Sequence, residues 1–485
     1  MLPISLRPNG RRAVIVGGGA VAARKAESLV RAGFPVFVVA PHIAERLRSL
    51  LDEHGGAYAV RVYSPEDLAG TVLVVAATND GAVNARVLAD ARDARVLACD
   101  ATDAGGGDFT MPATARAGDL TISVDSGGNA PAFSARVARE LAEQIHPRSG
   151  EAVRTLARMR SHVKEAFPEG ERGPILRALA ERPVDELAAM TLTTLVCASR
   201  RSALATIQSR TIAAQLAKRG IATTILGITT RGDRDRRSPI DALGDVNVFV
   251  KELEEALRDR RADYAVHSCK DLPGALPGDM RIAAISRRDD PRDAFCSARY
   301  AAFDALPAGA VVGTSSPRRR AQLAALRPEL VYENLRGNVD TRLRKLADGE
   351  YDAIVLAMAG LNRLRASAAH VVPFPVESVV PAVGQGALAV ETRAGDDALA
   401  EILHSAIADP ESELCVECER AALRALRAGC SAPLGIHASL AGQVMAVVGA
   451  FALDGGAIVR RRIERRVLGL EEARALGIEL AAELK

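Results

Sequence analysis

The sequence predicts an α/β chain built from several units, the first of them a parallel, doubly wound sheet. Two observations predict it. Short apolar runs of strand length alternate with stretches of helical period in both halves of the chain, and a glycine-rich turn directly follows the first of those runs. Length sets the number of units: 485 residues make about three or four domains at roughly 100–200 residues each. Hydrophobic residues are 48% and charged residues 25% of the chain, the balance of a globular protein.

Residues 13–16 read as a buried strand, 21–31 as a helix closed by Gly33, and 36–39 as a second strand. Residues 71–77, 96–99 and 120–124 follow as further strands of the same sheet. The turn His146-Pro147-Arg148-Ser149-Gly150 breaks the pattern. From there to Met190 the chain is charged and helical in period; a helical appendage, a linker and a dimerisation element are the readings open to it. A second α/β region begins at 191, with strands at 195–198, 223–228, 264–267, 310–313 and 353–357 and helices at 202–219 and 248–258. A charged amphipathic helix at 411–428, strand-like runs at 446–453 and 457–462 and a closing helix complete the chain. The predicted organisation is 1–145, a helical segment 146–190, a two-lobed region 191–407 and a small α+β domain 408–485.

Charge excludes some functions. The chain has 63 Lys+Arg against 60 Asp+Glu, net +3, so it is not a nucleic-acid coat. Only 3% of residues are aromatic and none is Trp, which disfavours a single-strand stacking platform. No apolar run reaches membrane-spanning length. Neither nucleic acid nor membrane is therefore an expected partner. Seven scattered cysteines point to reduced thiols and a cytoplasmic location. Cys415-x-x-Cys418 stands without a second pair, so no metal site is expected. Arginine dominates the basic residues, so one Arg means little, whereas Arg clusters in defined loops mean more.

Gly17-Gly18-Gly19-Ala20-Val21-Ala22 fits Gly-x-Gly-x-x-Ala between a strand and a helix. Gly17 permits the tight turn, Gly19 lets the backbone approach a pyrophosphate, and Ala22 lets helix and strand pack closely. The ribose-binding acid expected at the end of the second strand is absent; the sequence there is Val38-Val39-Ala40-Pro41-His42. With Arg24, Lys25, Ala76-Ala77-Thr78-Asn79-Asp80, Val83-Asn84, Asp103, Phe109-Thr110-Met111-Pro112-Ala113 and Ser126-Gly127-Gly128-Asn129-Ala130-Pro131, this region resembles precorrin-2 dehydrogenase, the NAD-dependent domain of siroheme synthases. The resemblance implies NAD as cofactor on Gly17, Gly18, Gly19, Ala20 and Val21. It also implies Asp103 as catalytic acid or base, precorrin-2 as substrate and sirohydrochlorin as product. Some members of that family also insert iron. A homodimer through the N-terminal and helical segments is a further expectation.

In the second region Ser315-Ser316-Pro317-Arg318-Arg319 follows a strand and opens a helix, with Ser316 a good N-cap and Pro317 a good first residue. Leu335-Arg336-Gly337-Asn338-Val339-Asp340-Thr341-Arg342 repeats the device, and Arg363 follows a third strand. Such clusters suit a polyanion, since guanidinium–carboxylate bonds are strong and directional. Val266-His267-Ser268-Cys269-Lys270-Asp271 places an acid at a strand's C-terminal end, where α/β proteins put ligands. Gly429-Cys430 is a thiol in a turn after a helix.

These segments resemble hydroxymethylbilane synthase, also called porphobilinogen deaminase, together with Ser199-Arg200-Arg201-Ser202, Thr230-Arg231-Gly232-Asp233, the run Phe249 to Glu254, Asp290-Pro291-Arg292-Asp293-Ala294 and Pro381-Ala382-Val383-Gly384-Gln385-Gly386-Ala387. The resemblance implies two periplasmic-binding-protein-like α/β domains and a small domain bearing Cys430. It implies a dipyrromethane cofactor on Cys430 through a thioether, and porphobilinogen as substrate. Asp271 would be catalytic, stabilising the cationic pyrrole nitrogen and managing protons; Arg200, Lys270, Ser315, Arg318, Arg319, Arg336, Asn338, Arg342 and Arg363 would bind substrate. The family's Gly-Gly-Lys-Gly stretch is replaced by Gly244-Asp245-Val246-Asn247-Val248. The rival reading is a two-lobed solute-binding protein fused to a dinucleotide sensor, which would need neither Cys430 nor Asp271.

Overall fold

The computed structural model describes residues 2–103, 105–190, 193–230, 250–428, 432–453 and 457–485. The chain divides into two units, Met1–Arg154 and Thr155–Lys485.

The first unit runs β1 (Arg12–Val16), α1 (Ala20–Arg31), β2 (Val36–Ala40), α2 (Glu45–His54), β3 (Ala57–Val60), β4 (Thr71–Ala76), α3 (Gly81–Asp93), β5 (Leu97–Asp100), β6 (Ala113–Ala117), β7 (Leu120–Val124) and α4 (Pro131–Gln144); α5 (Ser149–Ala166) leads out of it. Its sheet has the order β3-β2-β1-β4-β5 and every pair is parallel. Alternate residues of β1 enter different cores: Ala13 and Ile15 pack with α1 and α2, Val14 and Val16 with α3. Burial on both faces is why the strand reads as an unbroken apolar run. Gly33 closes α1 as predicted, its N–H donating to the Val30 carbonyl at 2.8 Å.

Residues 120–124 do form a strand, but not in this sheet. β7 pairs antiparallel with β6, which the sequence reading missed. The physical reason is its pattern: Leu120, Ile122 and Val124 alternate with Thr121 and Ser123, the signature of a ribbon with one face open rather than of a strand buried on both faces.

The second unit begins within α5 and continues with α6 (Glu169–Ala180) and α7 (Val184–Ala189). The helical segment is therefore helical as expected, and it packs on the second α/β region. Met159, Val163, Phe167, Ile175 and Leu179 share a core with Ala213 and Ala217, and His162 Nε2 accepts a hydrogen bond from the Thr223 N–H at 3.2 Å.

Then follow β8 (Thr194–Arg200), α8 (Ala203–Ala217), β9 (Ala222–Ile228), α9 (Lys251–Arg258), β10 (Tyr264–Ser268), β11 (Met280–Ile285), β12 (Asp293–Ser297), β13 (Val311–Gly313), α10 (Pro317–Leu326), β14 (Val331–Glu333), α11 (Val339–Ala347), β15 (Ala353–Ala357), α12 (Met358–Leu364), β16 (His370–Pro373), β17 (Leu388–Arg393) and α13 (Asp397–Ile407). They make two five-stranded sheets, β11-β17-β10-β8-β9 and β14-β13-β15-β12-β16. The chain leaves the first sheet after β11, builds the whole second sheet, and returns as β17 between β11 and β10, antiparallel to both. Two lobes are thus joined by two crossings of the chain. The last domain holds α14 (Pro410–Leu426), the antiparallel sheet β18 (Leu434–Ala441), β19 (Val444–Ala452) and β20 (Ile458–Arg466), and α15 (Leu470–Leu484). Strands β3, β11, β12, β14, β16, β17 and β18 escaped the sequence reading; β11, β12 and β17 carry Arg281, Asp293, Glu391 and Arg393 amid their apolar residues, which blurs the strand signal.

Candidate functional site

In the first unit the loops after β1, β4 and β5 meet at one edge of the sheet. Gly17 has φ +135°, and a Cβ there would stand 2.3 Å from the Ala77 carbonyl oxygen. A Cβ on Gly18 would stand 1.9 Å from the His42 carbonyl oxygen. These two glycines are required by the protein's own backbone. Gly19 differs: a Cβ there meets nothing within 4 Å, and the residue sits at the N-cap of α1 with its side-chain position open. An open position above a helix N-terminus is what a dinucleotide phosphate needs. Ala22 is fully buried, as close packing of α1 on the sheet requires. At the same edge the Asn84 amide donates to the Thr78 carbonyl and to Thr102 Oγ1, tying the loops after β4 and β5 together. Asp103 is exposed beside β5; its Oδ1 accepts from the Gly105 N–H at 2.9 Å.

In the second unit, the carboxyl ends of β8 and β10 open onto a cleft of about 420 Å³ lined by Arg200, Gln208, His267, Ser268 and Asp271, among others. A neighbouring cavity of about 540 Å³ is lined by Lys270, Arg319, Arg342, Arg363 and Gln385, among others. Leu204, Gln208 and Ser268 line both, so the two are continuous. Asp271 ends a short 3-10 turn, Cys269–Asp271, that directly follows β10. Gln208 Nε2 donates to Ser268 Oγ at 2.8 Å and pins that turn to α8.

The helix starts form as predicted: Ser316 caps α10 and accepts from the Arg319 N–H, and Asn338 caps α11 and accepts from the Thr341 N–H. The arginines do something different. Arg318 Nη1 donates to Asp293 Oδ2 at 2.6 Å and to the Val380 carbonyl at 2.7 Å. Arg319 donates twice to Asp293 Oδ1, at 3.0 and 2.7 Å. The anion at this helix start is the protein's own Asp293, fully buried. Burial alone would push the Asp293 carboxyl up, but the two guanidinium groups outweigh it and hold it well below the usual range. Arg319 still lines the cleft, whereas Arg318, Ser315, Arg336 and Asn338 are not among the lining residues. Ser315 Oγ donates to the Leu335 carbonyl at 2.8 Å and joins the two Arg-bearing loops.

The cations that line the cleft are held under strain of charge. Burial, and then Arg319, push Lys270 down to about 8; its Nζ donates to Gln385 Oε1 at 3.2 Å. Burial, then Arg319 and Arg336, push Arg342 down to about 10. Burial also lowers Arg363, whose Nη2 donates to the Gly386 carbonyl. Half-buried like charges are relieved when an anion arrives, so the cleft as built favours an anionic ligand. Asp293, Gln208 and Gln385 were missed by sequence reasoning; nothing in the spacing of Asp293 and Arg318, 25 residues apart, marks them as partners. Cys430, the turn around it, and the Gly244 to Val248 departure lie outside the described residues. Cys415 and Cys418 are buried in the core around α14.

Comparison with known proteins agrees with this arrangement. The dipyrromethane cofactor-binding domain of porphobilinogen deaminase matches residues 195–401, and that protein's C-terminal domain matches 413–485. The porphobilinogen deaminase of Albidiferax ferrireducens is 46% identical over 300 residues, 61% of this chain and 94% of that protein. The chain belongs to the porphobilinogen deaminase family. The enzyme of Methylobacillus flagellatus is 47% identical over 294 residues, 60% of this chain and 94% of its own length. Both relatives leave the first unit uncovered. That unit matches a putative NAD(P)-binding family over residues 4–113. A solved structure of SirC, a precorrin-2 dehydrogenase, is 22% identical, covering 37% of this chain and 90% of its own, with a TM-score of 0.32. No described helix is long and apolar enough to cross a membrane.

Proposed function

We propose that this chain carries two activities of tetrapyrrole synthesis. The second unit joins four porphobilinogen molecules head to tail into hydroxymethylbilane with release of ammonia. The first oxidises precorrin-2 to sirohydrochlorin with NAD. The observation that carries the first activity is the cleft: Asp271 and Arg200 at strand ends, continuous with Lys270, Arg319, Arg342 and Arg363, in a member of the deaminase family. Porphobilinogen bears two carboxylates, and each added unit brings two more; the lining cations answer them. Asp271, a carboxylate in an arginine-rich cleft, stabilises positive charge that develops on the pyrrole nitrogen as ammonia leaves. Cys430 would hold the dipyrromethane, a soft thiolate being suited to trap an electrophilic methylene. When bound, that group supplies the electron-rich pyrrole on which the chain grows. Arg318 supports the site through Asp293, and Ser315 and Asn338 through loop and helix start.

In the first unit Gly19 and the N-terminus of α1 would take the NAD pyrophosphate, and Asp103 would accept or return the proton that accompanies hydride loss. The cytoplasm fits both activities. A homodimer through this unit and the helical segment belongs to the same reading; the β6–β7 ribbon, which stands outside the main sheet with α4 packed on it, supports it.

Two assays on the purified full chain test the reading: consumption of porphobilinogen, and NADH formation from precorrin-2. Intact mass should reveal an adduct that Cys430→Ala lacks. Asp271→Asn should keep the adduct yet lower turnover by about 100-fold or more. An unmodified, active wild type would sink the cofactor assignment; near-normal turnover in Asp271→Asn would remove that residue's role. No NADH from a folded chain would leave the first unit a binding domain only.

A further inference from the structure

Behind the Asp271 turn lies a buried set of ionisable groups that no part of the reading above uses. His267, on β10, lines the cleft, yet its side chain is only 4% exposed; its Nε2 lies 2.9 Å from Oε2 of Glu391 on β17, which is fully buried. The register explains how they meet. Ala265 faces Glu391 and His267 faces Ala389 across the ladder, so the imidazole and the carboxylate are diagonal neighbours on one face with two alanines leaving them room. Helix α9 covers that face through Leu253, Ala256 and Leu257 and adds Glu254, also buried. Glu254 Oε2 accepts from Arg258 Nη2 at 3.1 Å, and Arg258 also reaches Asp279. The outer oxygens, Glu391 Oε1 and Glu254 Oε1, are buried with no partner among the described residues.

The count of charge is what makes this set chemically active. Arg258 is shared between Glu254 and the exposed Asp279, so it answers at most one buried carboxylate. The second buried carboxylate, Glu391, has the imidazole of His267 as its hydrogen-bond partner at 2.9 Å, and an apolar interior favours a proton shared between the two. The set therefore holds one proton that can move between an atom at the cleft and atoms behind it. Burial, and then the charge of Glu391, push the Glu254 carboxyl up, in keeping with a shared proton.

We propose that His267, backed by Glu391 and Glu254, is the proton acceptor of the condensation. The inference rests on the deaminase reading. In each condensation the aminomethyl carbon of one porphobilinogen loses its C–N bond, and nitrogen leaves as ammonia with the electron pair. A C–C bond forms to a pyrrole α-carbon, and that carbon gives up its proton, the C–H electrons restoring the ring. The proton passes to His267, is held against Glu391, and leaves on ammonia as ammonium or to water. Asp271 can then stay ionised throughout, as its role beside a cationic nitrogen demands. Other charges near the set are Arg393, two residues along β17, which donates to the Leu257 and Ala262 carbonyls and pairs with Asp396; Arg258 on α9 with Asp279; Lys270 and Asp271 in the turn after β10; and Arg200 at the end of β8.

The test is a pH series of kcat and KM between about pH 6 and pH 9 on the loaded full chain. His267→Asn should lower kcat by about 100-fold with KM nearly unchanged. Glu391→Gln keeps a hydrogen-bond acceptor but removes the charge that favours imidazolium, so kcat should fall by about tenfold and its acid limb should move to lower pH. Glu254→Gln should move the limb the same way by less. A lowered melting temperature with kcat per folded enzyme and the limb both unmoved would make the set merely structural and overturn the proposal. If the first two variants fail to fold, an unmoved limb in Glu254→Gln overturns it alone. NMR titration of His267 in cofactor-free Cys430→Ala gives a readout apart from turnover: its midpoint should fall on Glu391→Gln, and an unchanged midpoint counts against the relay. A wild type that consumes no porphobilinogen would instead defeat the deaminase reading.

Discussion

On the proposed reading the two units of this chain bind anions by different means. The first uses backbone: a glycine turn and the N-terminus of α1, with no arginine in the loop. The second uses side chains: Lys270, Arg319, Arg342 and Arg363, drawn from β10, α10, α11 and α12. A backbone site is compact in sequence, does not titrate, and depends on which positions lack a Cβ. A side-chain site is dispersed in sequence, pays desolvation for every charge, and needs internal counter-ions. The difference predicts how each will break.

The largest effect should come from the counter-ion. Asp293 is enclosed by Arg318 and Arg319. Asp293→Asn leaves two buried guanidinium groups with no carboxylate, and breaking such a pair costs about 3–5 kcal/mol. Denaturant unfolding of the full chain, followed by a probe in the second unit, should show that loss, while the first unit's transition stays put. Equal stability of the variant would mean that the arginines find other partners and are as free for substrate as the sequence suggested.

That case also marks the limit of what the sequence reveals. The Gly17 to Ala22 turn was legible because strand, turn and helix are adjacent, and each glycine answers a local demand. The caps Ser316 and Asn338 were legible for the same reason. The partner of Arg318 was not, because β12 and α10 meet only through the fold of the second lobe. The return of β17 into the first sheet was hidden too: Ala389 and Val390 are apolar, but Glu391, Thr392 and Arg393 disguise a central strand. The cleft as a set of residues came from family resemblance rather than from spacing. The acceptor Asp293 and the pin Gln208–Ser268 are contacts between distant segments, made only in the fold.

The second comparison is internal to the glycine turn. Gly18→Ala forces a Cβ against the His42 carbonyl and should unfold or strongly destabilise the first unit, because backbone cannot step aside. Gly19→Ala has open space for its methyl group and should lower the melting temperature only slightly, alanine being a poorer N-cap than glycine. It should still weaken NAD binding by about tenfold, equivalent to about 1.4 kcal/mol, because the methyl group occupies the approach to the pyrophosphate. Calorimetric titration of NAD beside a thermal melt separates the two effects. Unchanged affinity in Gly19→Ala would place the phosphate elsewhere.

The smallest effect is the one that most sharply separates the units, because only a side-chain site can titrate near neutral pH. Lys270 is pushed down to about 8 by burial and by Arg319. An ammonium that binds a substrate carboxylate is then lost as pH rises through about 8. The deaminase kcat/KM, which reports the free enzyme, should fall above that pH and approach a tenfold loss per unit. Lys270→Arg keeps its charge across the range and should abolish this limb at some cost in turnover. Stability moves the other way. The unfolded lysine titrates near its ordinary value of 10.5, so between about 8 and 10.5 the unfolded chain binds more protons than the folded one. Lys270 therefore adds stability as pH rises through that window, complete above 10.5 and lost as pH falls through 8. A protein that grows more stable while its deaminase weakens would identify Lys270 as the titrating group, since general alkaline unfolding lowers both. NAD binding to the backbone site should stay level over the same range. A kcat/KM flat through pH 8 in the wild type would show that Lys270 holds Gln385 and no substrate carboxylate.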